Sequence, residues 1–407
     1  MLLVTVGWLT PSDLLAQTHA VFLQLKGTGT GNSVTGAGTD VQVAGDFAYV
    51  VHPGGLEIYC VTNPVAPVRV SGWESQSLAN SVELSGHYAY LALGITQTFT
   101  NDTGSFEIVD VGDPFNPVLA GRINTLARAN DIRVAGNYAY VAESARWTGS
   151  NLLGALEIFE ISTPTNPVRV ATFETAGSAT SVDVSGSRNI ACLTDGVTDV
   201  QVLNVSDPSH PWRTGIYQPD LSQCAFETFA PADSVQVVGK IAYSTGGHGL
   251  NVLDISDPSQ PVRILDNSCI PTYSFHVAEH YAFATIFNSS LNTFFLYISD
   301  TTNPTNWVTV GLQRDWQPAR MQVVGSLIYV ATNPLIIYEL TNRPAIQSIS
   351  NRDGNLTLVW DYAPGFVLQR TTSLGSPSWI EMPETRNATS IILPSTVDSE
   401  FFRLAKP

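Results

Sequence analysis

The chain is predicted to be all-β: a seven-bladed β-propeller of four-stranded antiparallel blades, followed by a small β-sandwich domain. Two observations carry that prediction. A compound motif, clearest from Asp131 to Val170 as DIRVAGNYAYVAES, an insert and LEIFEISTPTNPVRV, recurs at matching positions from Asp40 to about Thr341. Composition is the second: of 407 residues 44% are hydrophobic and only 13% charged, with 31 Gly and 24 Pro, which suits short strands joined by turns.

Seven copies of the motif align. Their first halves read DVQVAGDFAYV from Asp40, SVELSGHYAYLA from Ser81, DIRVAGNYAYVA from Asp131, SVDVSGSRNIACL from Ser181, SVQVVGKIAYS from Ser234, SFHVAEHYAFA from Ser274 and RMQVVGSLIYVA from Arg320. Their second halves begin at Leu56, Phe106, Leu156, Val200, Leu250, Phe295 and Leu335. Within a copy, a V-x-V strand leads through a Gly turn into YAYVA, a loop leads into LEIVDV, and an Asp-Pro-x-x-Pro corner leads into PVRV. YAYVA is apolar on both faces, as a strand packed on two sides must be. In a ring of repeats the second side is the next copy. At the corner, Asp or Asn closes an Asx-turn and Pro fixes φ, so these acids read as turn residues and not as metal ligands. The last copy lacks a PVRV strand, and AVFLQL from Ala20 is expected to supply it, closing the ring and removing its open edges. The propeller is therefore expected over 18–341.

With their S-D-P-x-x-P corners, the runs FEIVDV and LNVLDIS resemble the LVIVD-repeat family. The resemblance covers roughly residues 20 to 341 and is strongest in copies two, three and five. Copy four departs from the pattern between Ser187 and Cys192, and copy six places Glu279 where the turn Gly belongs. The resemblance implies a propeller of secreted and cell-surface proteins. It carries over no catalytic residue.

Beyond Asn342 the period stops, and 342–407 breaks into short alternating runs such as NLTLVWD, GFVLQR and EFFRLA. An Ig-like or fibronectin-like β-sandwich is expected, similar to C-terminal modules of large secreted bacterial proteins. Trp360, Phe366, Leu368, Trp379 and Phe402 are its expected core. At the other end, 1–17 has a short apolar run like the latter part of a secretory signal peptide but no positive n-region; an apolar tail on the domain is the alternative.

A formal charge of −16, and lysines only at Lys26, Lys240 and Lys406, leave no basic stripe for phosphates, so nucleic acid and anionic membranes are disfavoured partners. No stretch approaches the roughly 20 apolar residues of a bilayer span. Cys60 and Cys192 sit in strand-like runs and are expected in the core. Cys224 and Cys269 lie in loops of neighbouring copies, where a disulfide is conceivable in an exported protein.

Strand parity divides the loops between two faces. Gly turns and Pro corners share a constant face, and the long loops share a variable one. The variable loops offer Trp73, Phe99, Arg146, Trp147, Tyr217, Phe229 and Trp316 as binding residues. Packing of some of these rings onto the blades is the competing reading. The same parity puts Asp40, Ser81, Asp131, Ser181, Ser234, Ser274 and Arg320 at the mouth of a central channel. Two Asp, four Ser and an Arg are thin for catalysis and adequate for a hydrogen-bonded channel.

No P-loop, G-x-S-x-G, H-E-x-x-H or dinucleotide fingerprint is present. The expectation is a non-enzymatic, monomeric binding or scaffold protein, extracellular or on the cell surface. Its variable face would meet a protein or polysaccharide, and no cofactor is required. The rival is a metal-assisted hydrolase or lyase in which Asp40 and Asp131 hold a cation such as Ca²⁺.

Overall fold

The computed structural model describes residues 21–30, 38–75, 77–94, 104–149, 151–196, 200–218, 232–246, 249–268, 272–288, 292–314, 316, 319–341, 346–352, 355–360, 366–371, 379–386, 388–394 and 401–405. The 1–17 segment, Cys224 and Cys269 lie outside these residues.

Seven four-stranded antiparallel sheets follow one another along the chain. Blade one comprises Asp40–Ala44, Phe47–His52, Gly55–Cys60 and Val68–Glu74. Blade three comprises Ala129–Ala135, Tyr138–Thr148, Asn151–Glu160 and Val168–Thr175. The first strands of successive blades neighbour one another around a closed circle, and that of blade seven, Met321–Val324, meets that of blade one.

Blade seven is completed from the other end of the sequence. Phe22–Thr28 pairs antiparallel with Ile336–Thr341, Phe22 opposite Thr341 and Thr28 opposite Ile336. Lys26 Nζ lies 2.6 Å from Glu339 Oε2 across that pair.

Every second strand is sealed on both faces, as its sequence requires. Ala139, Val141 and Ala142 are fully buried, and the small Ala at the second position of the strand recurs as Ala48, Ala89, Ala191, Ala242 and Ala282. Aromatic and branched side chains from adjacent blades fill the space between sheets; Phe106 of blade two meets Phe159 of blade three edge-on at 4.9 Å.

The Gly turns and Pro corners do share a face. In blades one to four the residue after the third strand donates its N–H to the turn: Val61 to Asp46 O, Val111 to His87 O, Ile161 to Asn137 O and Val205 to Asn189 O, each at 2.8 Å. Corner acids act as Asx-turn closers, Asp113 accepting from Phe115 N at 3.0 Å and Asp257 from Ser259 N at 2.9 Å.

Five turns place Gly at φ between +55 and +62 (Gly45, Gly86, Gly136, Gly239, Gly325). Blade four differs from the sequence reading: its left-handed residue is Asn189 at φ 54, not Gly186. In blade six Glu279 holds φ 53, a conformation that costs a residue with a Cβ about 1–2 kcal/mol. Copies four and six are nonetheless full four-stranded blades.

The C-terminal region forms two three-stranded antiparallel sheets that share one apolar cluster. Trp360, Leu368 and Met382 are buried there, with Phe402 at the margin. Trp379 lies at the edge beneath the Arg403 guanidinium, 4.2 Å from the ring centroid.

Candidate functional site

At or near the starts of the first strands, Asp40, Ser81, Asp131, Ser181 and Arg320 spend their side chains on joining blades. Asp40 Oδ2 accepts from Val82 N of blade two at 3.1 Å, and Asp131 Oδ2 from Val182 N of blade four at 3.2 Å. The Ser81 hydroxyl bridges Asp40 Oδ2 at 2.9 Å and Asp131 Oδ1 at 2.7 Å. Ser181 donates to Asp131 Oδ2 at 2.7 Å while its oxygen accepts from Val235 N at 3.2 Å. Arg320 closes the arc from blade seven, 3.3 Å from Asp131 Oδ1 and 3.6 Å from Asp40 Oδ2. Ser234 is half-buried, and Ser274 turns back to Thr285 of its own blade at 2.7 Å.

A preceding layer repeats the logic. Thr39, Asn80 and Asn130 each donate a side-chain hydrogen bond to a carbonyl of the next blade, those of Ala79, Ala129 and Ala179, at 2.6–3.0 Å.

The third residues form a polar ring deeper in the channel: Gln42, Glu83, Arg133, Asp183, Gln236, His276 and Gln322. Arg133 is its hub, 3.0 Å from Asp131, 3.7 Å from Asp183 and 4.0 Å from Glu83. Burial raises the Asp131 carboxyl, but Arg133, Arg320 and the two serine hydroxyls outweigh it and hold the group at about 2. Glu83 behaves oppositely. Its burial, reinforced by Asp40, Asp131 and Asp183, outweighs Arg133 and pushes it up to about 7.

Asp183, Gln236 and Gln322 each accept the backbone N–H of the next blade, from Val237, Val277 and Val43 respectively. His276 occupies the same position between blades six and seven and makes no such bond to Val323. Burial, aided by Arg133, lowers its imidazole to about 4, so it is neutral. Replacing it by Gln is expected to supply the absent bond and stabilise the ring by about 1 kcal/mol. Urea denaturation midpoints of His276→Gln and the wild type measure this; an unchanged midpoint would show that the seam needs no such bond.

Asp40 and Asp131 do converge, on one serine oxygen. Their own oxygens accept from backbone N–H groups, hydroxyls and guanidinium. No group of three or more His, Cys, Asp or Glu among the described residues is arranged to hold a metal.

On the variable face the seven predicted binding residues separate. Trp316 must be corrected: only 5% exposed, it packs against Tyr338 at 5.1 Å and Met321 in the core between blades six and seven. Trp73 and Tyr217 are half-buried ends of outer strands that reach the next blade, Trp73 Nε1 donating to Glu107 at 3.0 Å and Tyr217 OH to Asn251 at 3.4 Å. They are inter-blade packing residues. Phe99 and Phe229 lie outside the described residues.

Arg146 and Trp147 belong to a projecting hairpin. The second and third strands of blade three continue past a bulge between Glu143 and Arg146, pair Trp147 with Leu152, and turn at Gly149 (φ 70). Trp147 is 73% exposed and Leu152 48%.

The base of this hairpin is fixed. Ala145 N donates to Ser178 Oγ at 2.8 Å, Ser144 Oγ to Asn130 at 3.1 Å, and Arg146 lies 3.8 Å from Glu174. Beneath it Glu143 is fully buried, and burial together with a hydrogen bond to Glu157 raises its carboxyl far above the usual range, so it stays protonated. Near the mouth, Tyr273 of blade six is 51% exposed and packs edge-on against Phe294 at 5.1 Å.

Sequence reading passed over one recurrent group, the polar residue in the middle of the third strand. Glu57, Glu107 and Glu157 are buried between blades and bound by Arg69, Arg122 and Arg169 of the fourth strands; Gln201 and Arg213 repeat the pair in blade four. The Glu of LEI and the Arg of PVRV were the available signal. Cys192 is buried as expected, whereas Cys60 is half-buried beside Thr62.

Among solved structures, the chain is similar to the WD40 β-propeller domain of Doa1 (TM-score 0.53, 13% identity), covering 79% of this chain and 97% of that one. It is similar also to the computationally designed protein Ika8 (TM-score 0.50, 8% identity; 78% and 100% covered). A third likeness is to Raptor of Chaetomium thermophilum (TM-score 0.57, 11% identity), where it covers 81% of this chain but spans only 30% of that one. At such identities the likeness concerns the fold alone. No curated protein matches the sequence. No helix among the described residues is long and apolar enough to cross a membrane. The LVIVD repeat matches residues 35–72, 78–125, 127–175, 176–218 and 231–266, which are blades one to five, blade four included despite its altered turn. Those matches span more than half of the sequence, and the chain belongs to the LVIVD-repeat family.

Proposed function

We propose that this propeller is a non-enzymatic binding or scaffold protein, exported from the cell, which presents its variable face to a protein or polysaccharide. One observation carries the reading: the blade-three hairpin holds Trp147 and Leu152 out in solvent on a rigidly hydrogen-bonded base. An aromatic ring of that size, held at 73% exposure, is the residue type that anchors interfaces and stacks on flat ligands. Tyr273, on the same face at blade six, is a second contact. The polar groups at the channel mouth are committed to joining blades, which supports a framework and not a reactive centre. The C-terminal sheets are read as a spacer or attachment module.

The test is Trp147→Ala combined with Tyr273→Ala. Both side chains are exposed, so the thermal midpoint should stay within about 2 °C of wild type. Binding to whatever the wild type retains on immobilised glycan and peptide arrays should fall by at least about tenfold. Unaltered retention would sink the assignment of this face.

A further inference from the structure

We propose that the cleft between blades six and seven, on the face opposite the Trp147 hairpin, binds an alkylammonium group, namely the lysine side chain of a partner protein. The cleft has a volume of about 320 Å³ and is lined by Ala278, Glu279 and Tyr281 of blade six and Val323, Ser326 and Leu340 of blade seven. That volume is at the small end of the range for ligand sites.

Three features point to this chemistry. First, Glu279 occupies a left-handed position that five blades give to glycine. The turn itself has no use for a carboxylate, and Gly would relieve the backbone; a strained residue kept at the rim of a cleft is the pattern of a ligand contact. Among the described residues Glu279 enters no hydrogen bond or ion pair. Second, Ala278, Val323 and Leu340 give the cleft an apolar floor, which suits the methylenes of a lysine whose ammonium meets Glu279 at the rim. Tyr281 is raised by burial and by Asp300 and Glu279, and stays a neutral hydroxyl; the His280 ring lies tilted against it, centroids 4.2 Å apart.

Third, Ser274 and His276 make no bond across this seam of the kind Ser181 and Gln236 make at theirs, and an apolar cluster of Phe283, Trp316, Met321 and Ile328 joins the two blades instead. Apolar contacts tolerate a small adjustment of the blades better than directional bonds do. A net charge of −16 with three lysines disfavours a second copy of this chain as the occupant and favours a basic partner.

The experiment titrates the full chain with acetyl-Gly-Lys-Gly-amide, acetyl-Gly-Gln-Gly-amide and pentylamine, followed by calorimetry. The lysine peptide should bind at least about tenfold more tightly than the glutamine peptide, and less tightly as salt rises. Glu279→Gly should keep or raise the thermal midpoint while weakening the lysine peptide by about tenfold, which separates recognition from folding. Equal binding of the two peptides, or undiminished binding by Glu279→Gly, overturns the site. Binding of pentylamine alone overturns the partner-lysine reading in favour of a free amine.

Discussion

Asp131→Ala is expected to be the most damaging single substitution at the channel mouth, lowering stability by about 3–5 kcal/mol in chemical denaturation. Asp131 has no exposed surface and serves blades two, three, four and seven at once, through Ser81, Arg133, Ser181 with Val182, and Arg320. Its removal strands two guanidinium groups in the channel without their principal counter-ion and leaves Val182 N–H without its acceptor. Asp131→Asn keeps the volume but replaces acceptor oxygen with a donor facing other donors, so it should recover only part of the loss. Ser234→Ala, at the same ring position with a half-buried side chain, is the matched control and should cost less than about 1 kcal/mol. A loss for Asp131→Ala no larger than that of the control would show that the ring does not depend on this hub.

Glu83→Gln and His276→Gln should give stability profiles of opposite slope in mildly acidic solution. Glu83 is raised from 4.5 to about 7 in the folded chain, chiefly by burial. Its contribution is therefore fully present below 4.5 and is lost as pH rises through about 7. His276 is lowered from 6.5 to about 4, also chiefly by burial, so its contribution is present above 6.5 and is lost as pH falls through about 4. Each amounts to at most about 3 kcal/mol, and in the wild type they nearly cancel between them. Glu83→Gln exposes the histidine, and stability should then climb from pH 4 to 6.5. His276→Gln exposes the glutamate, and stability should then decline from pH 4.5 to 7. Parallel slopes for the two variants would refute the balance. Asp131 adds a separate loss as pH falls from 3.8 through about 2.

The ring was legible because its signals are local and repeated. A Pro corner, a Gly turn and a doubly apolar strand recur often enough to fix blade count, and the missing PVRV strand announced the closure by Phe22–Thr28. The binding face was far less legible. Trp73, Trp147, Tyr217 and Trp316 all follow strand-like runs, and only the distance each strand continues beyond its blade decides which ring reaches solvent. Trp147 does so because a bulge after Glu143 lets the hairpin extend, a register event without a sequence signature. At or near the starts of the first strands Asp40, Ser81, Asp131 and Ser181 lean sideways to the next blade, which parity alone does not reveal. The buried Glu57 was overlooked because a charge in an apolar strand reads as outward-facing; an Arg twelve residues on, Arg69, was the clue to its partner.

The composite seventh blade also sets an order of events during synthesis. Phe22–Thr28 leaves the ribosome first, yet its hydrogen-bonding partner Ile336–Thr341 follows more than 300 residues later. At translation rates of 5–20 residues per second that is a wait of roughly 15–60 s. Blades one to six can form locally in the meantime, while an edge strand bearing Leu25, 49% exposed even in the finished ring, remains unpaired. Lys26, one of only three lysines in the chain, sits in that strand and is well placed to discourage premature edge-to-edge pairing until Glu339 emerges to receive it.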